Sequence, residues 1–170
     1  AGAKRGGSGL SAGVDEAGRG SLLGRMYVGA VIFHPDTRLD PEIVKDSKKF
    51  SSRKRRAEAR DYVLEHCLSY GLAYREPWEI DNKGLIPSLM EAMHEAIRQL
   101  EIVPDHLLID GNYFQPYFHP HKPGFEVVPH TCVVKGDSTY YSIAAASILA
   151  KVAHDEHIKI LVKSTPLLSQ

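Results

Sequence analysis

The chain has 170 residues, 21 Lys and Arg against 21 Asp and Glu, a formal net charge of zero, and an ordinary globular balance of 43% hydrophobic and 25% charged residues. No apolar run approaches the roughly 18 residues of a membrane span, and two cysteines without Cys-x-x-Cys spacing make no disulfide framework. Zero net charge excludes no polyanionic partner, because only the distribution of charge decides that.

The length fits one domain over residues 1–170, with the short, basic, glycine-rich residues 1–9 as a flexible tail. Cys67 and Cys132 read as small buried side chains in a reducing cytosol.

Leu10, Ala12 and Val14 lead as a strand into Asp15 and Glu16, and Met26 to Phe33 is a second, mostly apolar strand. Adjacent carboxylates on a strand point to opposite faces, so a shared role for Asp15 and Glu16 calls for a bend that Gly13, Gly18 and Gly20 permit. A buried, unpaired carboxylate costs several kcal/mol, so such a pair asks for a cation; the alternative is a solvated turn. Gly18-Arg19-Gly20 is no dinucleotide fingerprint, because position 23 is Leu and a strand follows.

From Lys45 to Arg60, eight basic residues stand against Asp46 and Glu58. This segment is either a wet helix face or a surface for a polyanion beside the carboxylates. Its helix starts at Ser51 or Ser52 as N-cap and reaches about His66, with a narrow apolar face of Ala57, Tyr62, Val63 and Cys67. Leu68 to Arg75 is a third strand and Glu79–Asn82 a loop. Ile86, Leu89, Met90, Met93, Ile97 and Leu100 form the apolar stripe of a helix that tolerates Pro87 in its first turn.

His106 to Ile109 is a short central strand that delivers Asp110 at its carboxyl end, where sites gather in open α/β sheets. Tyr113 to Gly124 reads as a loop in which His119 and His121 are solvated, since no cysteine pair offers zinc spacing. Phe125 to Val134 is one more strand, interrupted at Pro129. From about Tyr140 a helix with a small-residue face runs until Pro166 stops it. Asp137, just before that helix, is electrostatically favoured there whether or not it has a further role.

Asp15, Glu16, Asp110 and Asp137 thus lie at strand ends or a helix start. A set of hard oxygen donors selects Mg²⁺ or Mn²⁺, and two such ions about 4 Å apart suit phosphodiester hydrolysis.

The chain resembles the ribonuclease HII family, the type 2 ribonucleases H. The resemblance is carried in order by GVDEAGRG at Gly13 to Gly20, DSKKF at Asp46 to Phe50, EID at Glu79 to Asp81, LLIDGN at Leu107 to Asn112 and KGDSTYYSIAAASILAKV at Lys135 to Val152. It implies a ribonuclease H-like α/β fold, a mixed sheet of about five strands flanked by helices. It also implies a monomeric, cytoplasmic endoribonuclease that cuts RNA/DNA hybrids and single ribonucleotides in duplex DNA, leaving 3′-hydroxyl and 5′-phosphate ends. Asp15, Glu16, Asp110 and Asp137 would be the metal-binding catalytic carboxylates. Gly18, Arg19 and Gly20 would grip the backbone at the ribonucleotide. Ser47, Lys48, Ser147 and Lys151 would hold phosphates.

Three departures stand out. Ser21 and Arg25 replace family prolines, implying a looser turn or an added phosphate contact. His154 replaces an Arg. The family's later segment, with a tyrosine at the RNA–DNA junction, has no counterpart before Gln170, as in a truncated or naturally short form. The competing readings are a resolvase- or transposase-type nuclease and a hybrid-binding module without catalysis.

Overall fold

The computed structural model describes residues 8–20, 24–120 and 126–164. β1 (Ser11–Ala17) and β2 (Met26–Ile32) pair antiparallel, with Ala12 opposite Ile32 and Ala17 opposite Tyr27. Every residue of β2 is buried, which explains its unbroken rather than alternating apolar pattern.

A single turn unread in the sequence follows, α1 (Pro41–Val44), started by proline and capped by the Asp40 carboxylate accepting from the Glu42 N–H at 2.9 Å. After a 3₁₀ turn at Ser47–Lys49, α2 (Arg53–His66) begins behind Ser52, whose hydroxyl accepts from the Arg55 N–H at 3.4 Å. β3 (Ser69–Arg75) pairs antiparallel with β2.

Glu79–Asn82, expected in a loop, lies inside α3 (Pro77–Lys83). Pro77 takes the first helical position and the Glu79 carboxylate accepts the Glu76 N–H at 3.0 Å, one arm of a capping box. α4 (Leu85–Arg98) buries the expected stripe from Leu89 to Ile97, but Ile86 is 41% exposed because the buried face of this helix starts at Ser88 and Leu89.

β4 (His106–Asp110) lies parallel to β1, and the expected strand 125–134 is split between two sheets. β5 (Tyr117–Phe118), in the expected loop, pairs with β6 (Val127–Val128), while β7 (His130–Val133) pairs parallel with β4. Pro129 has no N–H for a ladder, yet its carbonyl accepts from the Leu107 N–H at 2.9 Å, so the division falls there. The hairpin also buries His119, which is 7% exposed rather than solvated. His121 lies outside the described residues. The main sheet therefore has the mixed order β3-β2-β1-β4-β7.

α5 (Tyr141–Ser164) follows a 3₁₀ turn at Gly136–Ser138; the expected stop at Pro166 lies outside the described residues. α4 packs on one face of the sheet through a core that includes Val14, Met93 and Ile109. α5 covers the other face with α2 against it, through Val31, Val63 and Ala145. A Cβ at Gly13 would stand 2.2 Å from the Ser142 carbonyl carbon, and one at Gly29 would stand 2.4 Å from the Ala146 oxygen. Gly13 thus serves the close approach of α5 to the sheet, not a bend in β1, which runs unbroken to Ala17.

Cys67, which follows α2, and Cys132, within β7, are free and half-buried rather than fully enclosed, each packed at the margin of its core. Of the expected tail, residues 1–7 lie outside the described residues, whereas the backbone N–H groups of Ser8 and Gly9 donate to the Asp105 carboxylate. Among the described residues no helix is long and apolar enough to cross a membrane.

Candidate active site

Strand register brings the first two carboxylates together. β1 and β4 run parallel with Val14 opposite Ile109, so the next residues, Asp15 and Asp110, leave the sheet side by side. Val14 and Ile109 point into the α4-side core, and alternation sends Asp15 and Asp110 to the α5 side. The sheet does this without any bend.

Glu16 follows on the opposite alternation, yet its carboxyl stays in hydrogen-bond contact with that of Asp15, and its N–H donates to Asp15 Oδ1 at 2.8 Å. Asp15 is 5% exposed. Burial first, then the charges of Glu16 and Asp110, push its pKa up to about 10, so without a cation it holds its proton at neutral pH. Among the described residues no Lys, Arg or His forms an ion pair with Asp15; Arg19 Nη1 lies 3.9 Å from Glu16 Oε1.

Asp110 Oδ1 accepts the Gly136 N–H at 2.7 Å, which ties the end of β4 to the turn carrying Asp137. A Cβ at Gly136 would lie 2.5 Å from Ile143 Cδ1, so this turn packs closely on α5. Asp137, half-buried, faces a narrow cleft of about 30 Å³ lined also by Lys45, Ser47, Lys48, Arg56, Ser147 and Lys151. The four phosphate-holding candidates, Ser47, Lys48, Ser147 and Lys151, therefore share one cleft although they come from two distant stretches of chain. Lys45 and Arg56 join them unannounced. Both belong to the basic run, but only the fold reveals which of its members turn inward.

Gly18 and Gly20 continue from β1 with positive φ, 89° and 78°. At Gly18 a side chain would collide with the Arg25 carbonyl and the His154 ring, both 2.6 Å from a built Cβ. His154 thus props the glycine loop; among the described residues its buried Nε2 has no hydrogen-bond partner, and burial lowers its pKa. Arg25 is not an open phosphate contact. Its Nε donates to Glu76 Oε1 at 2.6 Å and its guanidinium lies 4.0 Å from the Tyr74 ring centroid. Ser21, the other departure, lies outside the described residues.

The all-oxygen donor set fits a hard divalent cation, and a carboxyl buried against two others has the electrostatic need for one. Among the described residues no three Asp, Glu, His or Cys side chains are gathered into a ready-made ion cage. The fit is one of donor chemistry and neighbourhood.

A family model described as Ribonuclease HII matches residues 12–167. A ribonuclease HII of Parabacteroides distasonis is 42% identical over 157 residues, 92% of this chain and 73% of the relative. The crystal structure of ribonuclease H2 from Pyrococcus horikoshii OT3 superposes with TM-score 0.76 at 26% identity, over 91% of this chain and 76% of that one. Bst-RNase HIII, solved in complex with Mn²⁺, shares the fold at 20% identity and TM-score 0.67, over 98% of this chain and 58% of its own.

Proposed function

The chain belongs to the ribonuclease HII family and is a metal-dependent endoribonuclease that cuts the RNA strand of RNA/DNA hybrids, and from that premise we propose how its own residues divide the work. Asp15, Glu16, Asp110 and Asp137 hold two Mg²⁺ or Mn²⁺ ions. The observation that carries this assignment is the register of β1 on β4, which makes neighbours of two acids 95 positions apart and buries one of them with no countercharge among the described residues. Bound there, the ions supply the charge that activates water and stabilises the leaving oxygen in phosphodiester hydrolysis.

The remaining residues bind and orient. Gly18 and Gly20 leave backbone amides open to close approach, and exposed Arg19 stands at the edge of the acidic group. Together they read the 2′-hydroxyl and backbone of the ribonucleotide, the feature that separates RNA from DNA. Ser47, Lys48, Ser147 and Lys151 hold adjacent phosphates in the cleft beside Asp137. Single ribonucleotides embedded in duplex DNA are substrates too, and the products carry 3′-hydroxyl and 5′-phosphate ends. The protein acts as a cytoplasmic monomer.

The test is a labelled DNA duplex carrying one ribonucleotide, incubated with the protein and Mg²⁺. Cleavage at the ribonucleotide that leaves 3′-hydroxyl and 5′-phosphate ends, lost in Asp110→Asn with the fold unchanged by circular dichroism, supports the assignment. An intact Asp110→Asn activity refutes it. Binding of hybrid that survives chelation, with no cutting under any divalent ion, would make this chain a binding module instead.

A further inference from the structure

We propose that Lys45 is a positioning residue that fixes the Asp137-bearing turn against Asp110, and that it thereby sets the affinity of the acidic group for its divalent cations. The inference rests on the reading of Asp137 as a ligand. Asp137 sits in the short 3₁₀ turn Gly136–Ser138, whose internal bonds run back to the Lys135 and Gly136 carbonyls and leave its placement against the neighbouring elements to other contacts. It is entered through Lys135 at φ 57°, ψ 41°, the one non-glycine residue with positive φ among the described residues. A left-handed lysine is disfavoured and persists where its surroundings impose it.

Two contacts fasten this turn to its neighbours, one near its entry and one at its exit. On the β4 side, the Gly136 N–H is bonded to Asp110 Oδ1 at 2.7 Å. On the other side, Lys45 Nζ donates to the Thr139 carbonyl at 3.2 Å and lies 4.4 Å from the Tyr141 ring centroid. The carbonyl anchors the exit of the turn and the ring belongs to the first residue of α5, so one ammonium group holds the junction between them. Lys45 caps α1 and lies two residues before Ser47, so it also links the phosphate-holding segment to the acidic turn. Lys45 lines the same cleft as Asp137, yet its donor is directed at backbone and ring, which is the contact pattern of a brace.

The experiment compares wild type, Lys45→Met and Lys45→Arg. Mn²⁺ binding is read by electron paramagnetic resonance without substrate, and steady-state cleavage of the single-ribonucleotide duplex is measured over a Mg²⁺ titration. Lys45→Met keeps the stem and loses the donor and charge. It is expected to weaken Mn²⁺ binding and raise the half-saturating Mg²⁺ concentration about fivefold, the scale of one part-exposed charged hydrogen bond. kcat at fixed Mg²⁺ falls, KM for the duplex stays within twofold, and Lys45→Arg restores most of the metal affinity. Unchanged Mn²⁺ binding with a raised KM and a shallower salt dependence would make Lys45 a phosphate contact and overturn the proposal. If Mn²⁺ binding survives both Lys45→Met and Asp137→Asn, the ligand role of Asp137 falls with it; if it is lost only in Asp137→Asn, the ligand role stands and the brace does not.

Discussion

Replacing Asp15 by Asn should stabilise the metal-free protein, and by more as the pH rises. The buried Asp15 carboxyl has its pKa raised from 3.8 to about 10, by burial and by the charges of Glu16 and Asp110. A carboxyl raised on folding is protonated in the native state and ionised in the unfolded chain over the interval between those values. Its contribution is fully present below pH 3.8 and is lost progressively as the pH climbs towards 10, at a limiting slope of about 1.4 kcal/mol per pH unit. Between pH 5 and pH 8 the stability difference between Asp15→Asn and wild type should therefore widen, by at most about 4 kcal/mol. Urea denaturation in EDTA at pH 5, 6, 7 and 8 measures it, and taking the difference between the two proteins cancels every group they share. Adding Mg²⁺ should close the gap from the wild-type side, because an ion that binds only the native state stabilises it. A difference that is flat or shrinks with pH would mean that Asp15 is not held in a desolvated acidic group, and the electrostatic argument for an ion there would fail.

Gly29→Ala should lower stability by about 2–3 kcal/mol, because its Cβ would meet the Ala146 carbonyl oxygen, a backbone atom that cannot rotate away. A thermal melt checks this, and an unchanged midpoint would contradict the close packing of α5 on β2. Lys48→Ala should weaken binding to a hybrid duplex and flatten the dependence of log affinity on log salt by about one unit, measured by fluorescence anisotropy over 50–300 mM salt, a range of about sixfold. Arg56 Nε donates to Asp155 Oδ2 at 2.8 Å and its Nη1 to the Phe50 carbonyl at 2.9 Å, both side chains being mostly enclosed. Arg56→Met should cost about 2 kcal/mol by urea denaturation, and adding Asp155→Asn should recover part of it by removing the unpaired charge.

How far the sequence could be read depended on whether a signal was local. The stripe of α4 from Leu89 onward and the Ser52 cap of α2 are patterns within a turn or two, and they stand where expected. The Pro77 and Glu76–Glu79 features of α3 are equally local, but the expectation of a loop at Glu79–Asn82 took no account of them. The pairing of β5 with β6 could not be read, because two-residue strands carry no periodicity and their partner lies across a loop. The acids Asp15 and Asp110 could be named from their strand-end positions. What put them on one face was the parallel register of β1 on β4, a relation between distant segments. The same holds for Arg56 and Lys45, whose inward orientation depends on α1, α2 and α5 meeting at one cleft.

That cleft also explains how a chain of zero net charge can serve a polyanion. Asp15 and Asp110 are withdrawn to the ends of neighbouring strands, and burial favours the uncharged form of Asp15 in the metal-free state. The cations do the opposite. Lys48 at the cleft and Lys49, Arg53, Lys54 and Arg55 beyond it in the chain are exposed, the last three on the first turn of α2. A phosphate backbone at this surface meets a local positive field within a Debye length of about 8–10 Å, whatever the charge of the remote surface. Each divalent ion taken up by the acids removes more of the opposing negative charge. Ion binding and substrate binding should thus reinforce one another through the field alone, and hybrid affinity should rise with Mg²⁺ in wild type more than in Asp15→Asn. Equal responses in the two proteins would assign the Mg²⁺ effect to the duplex and not to the site.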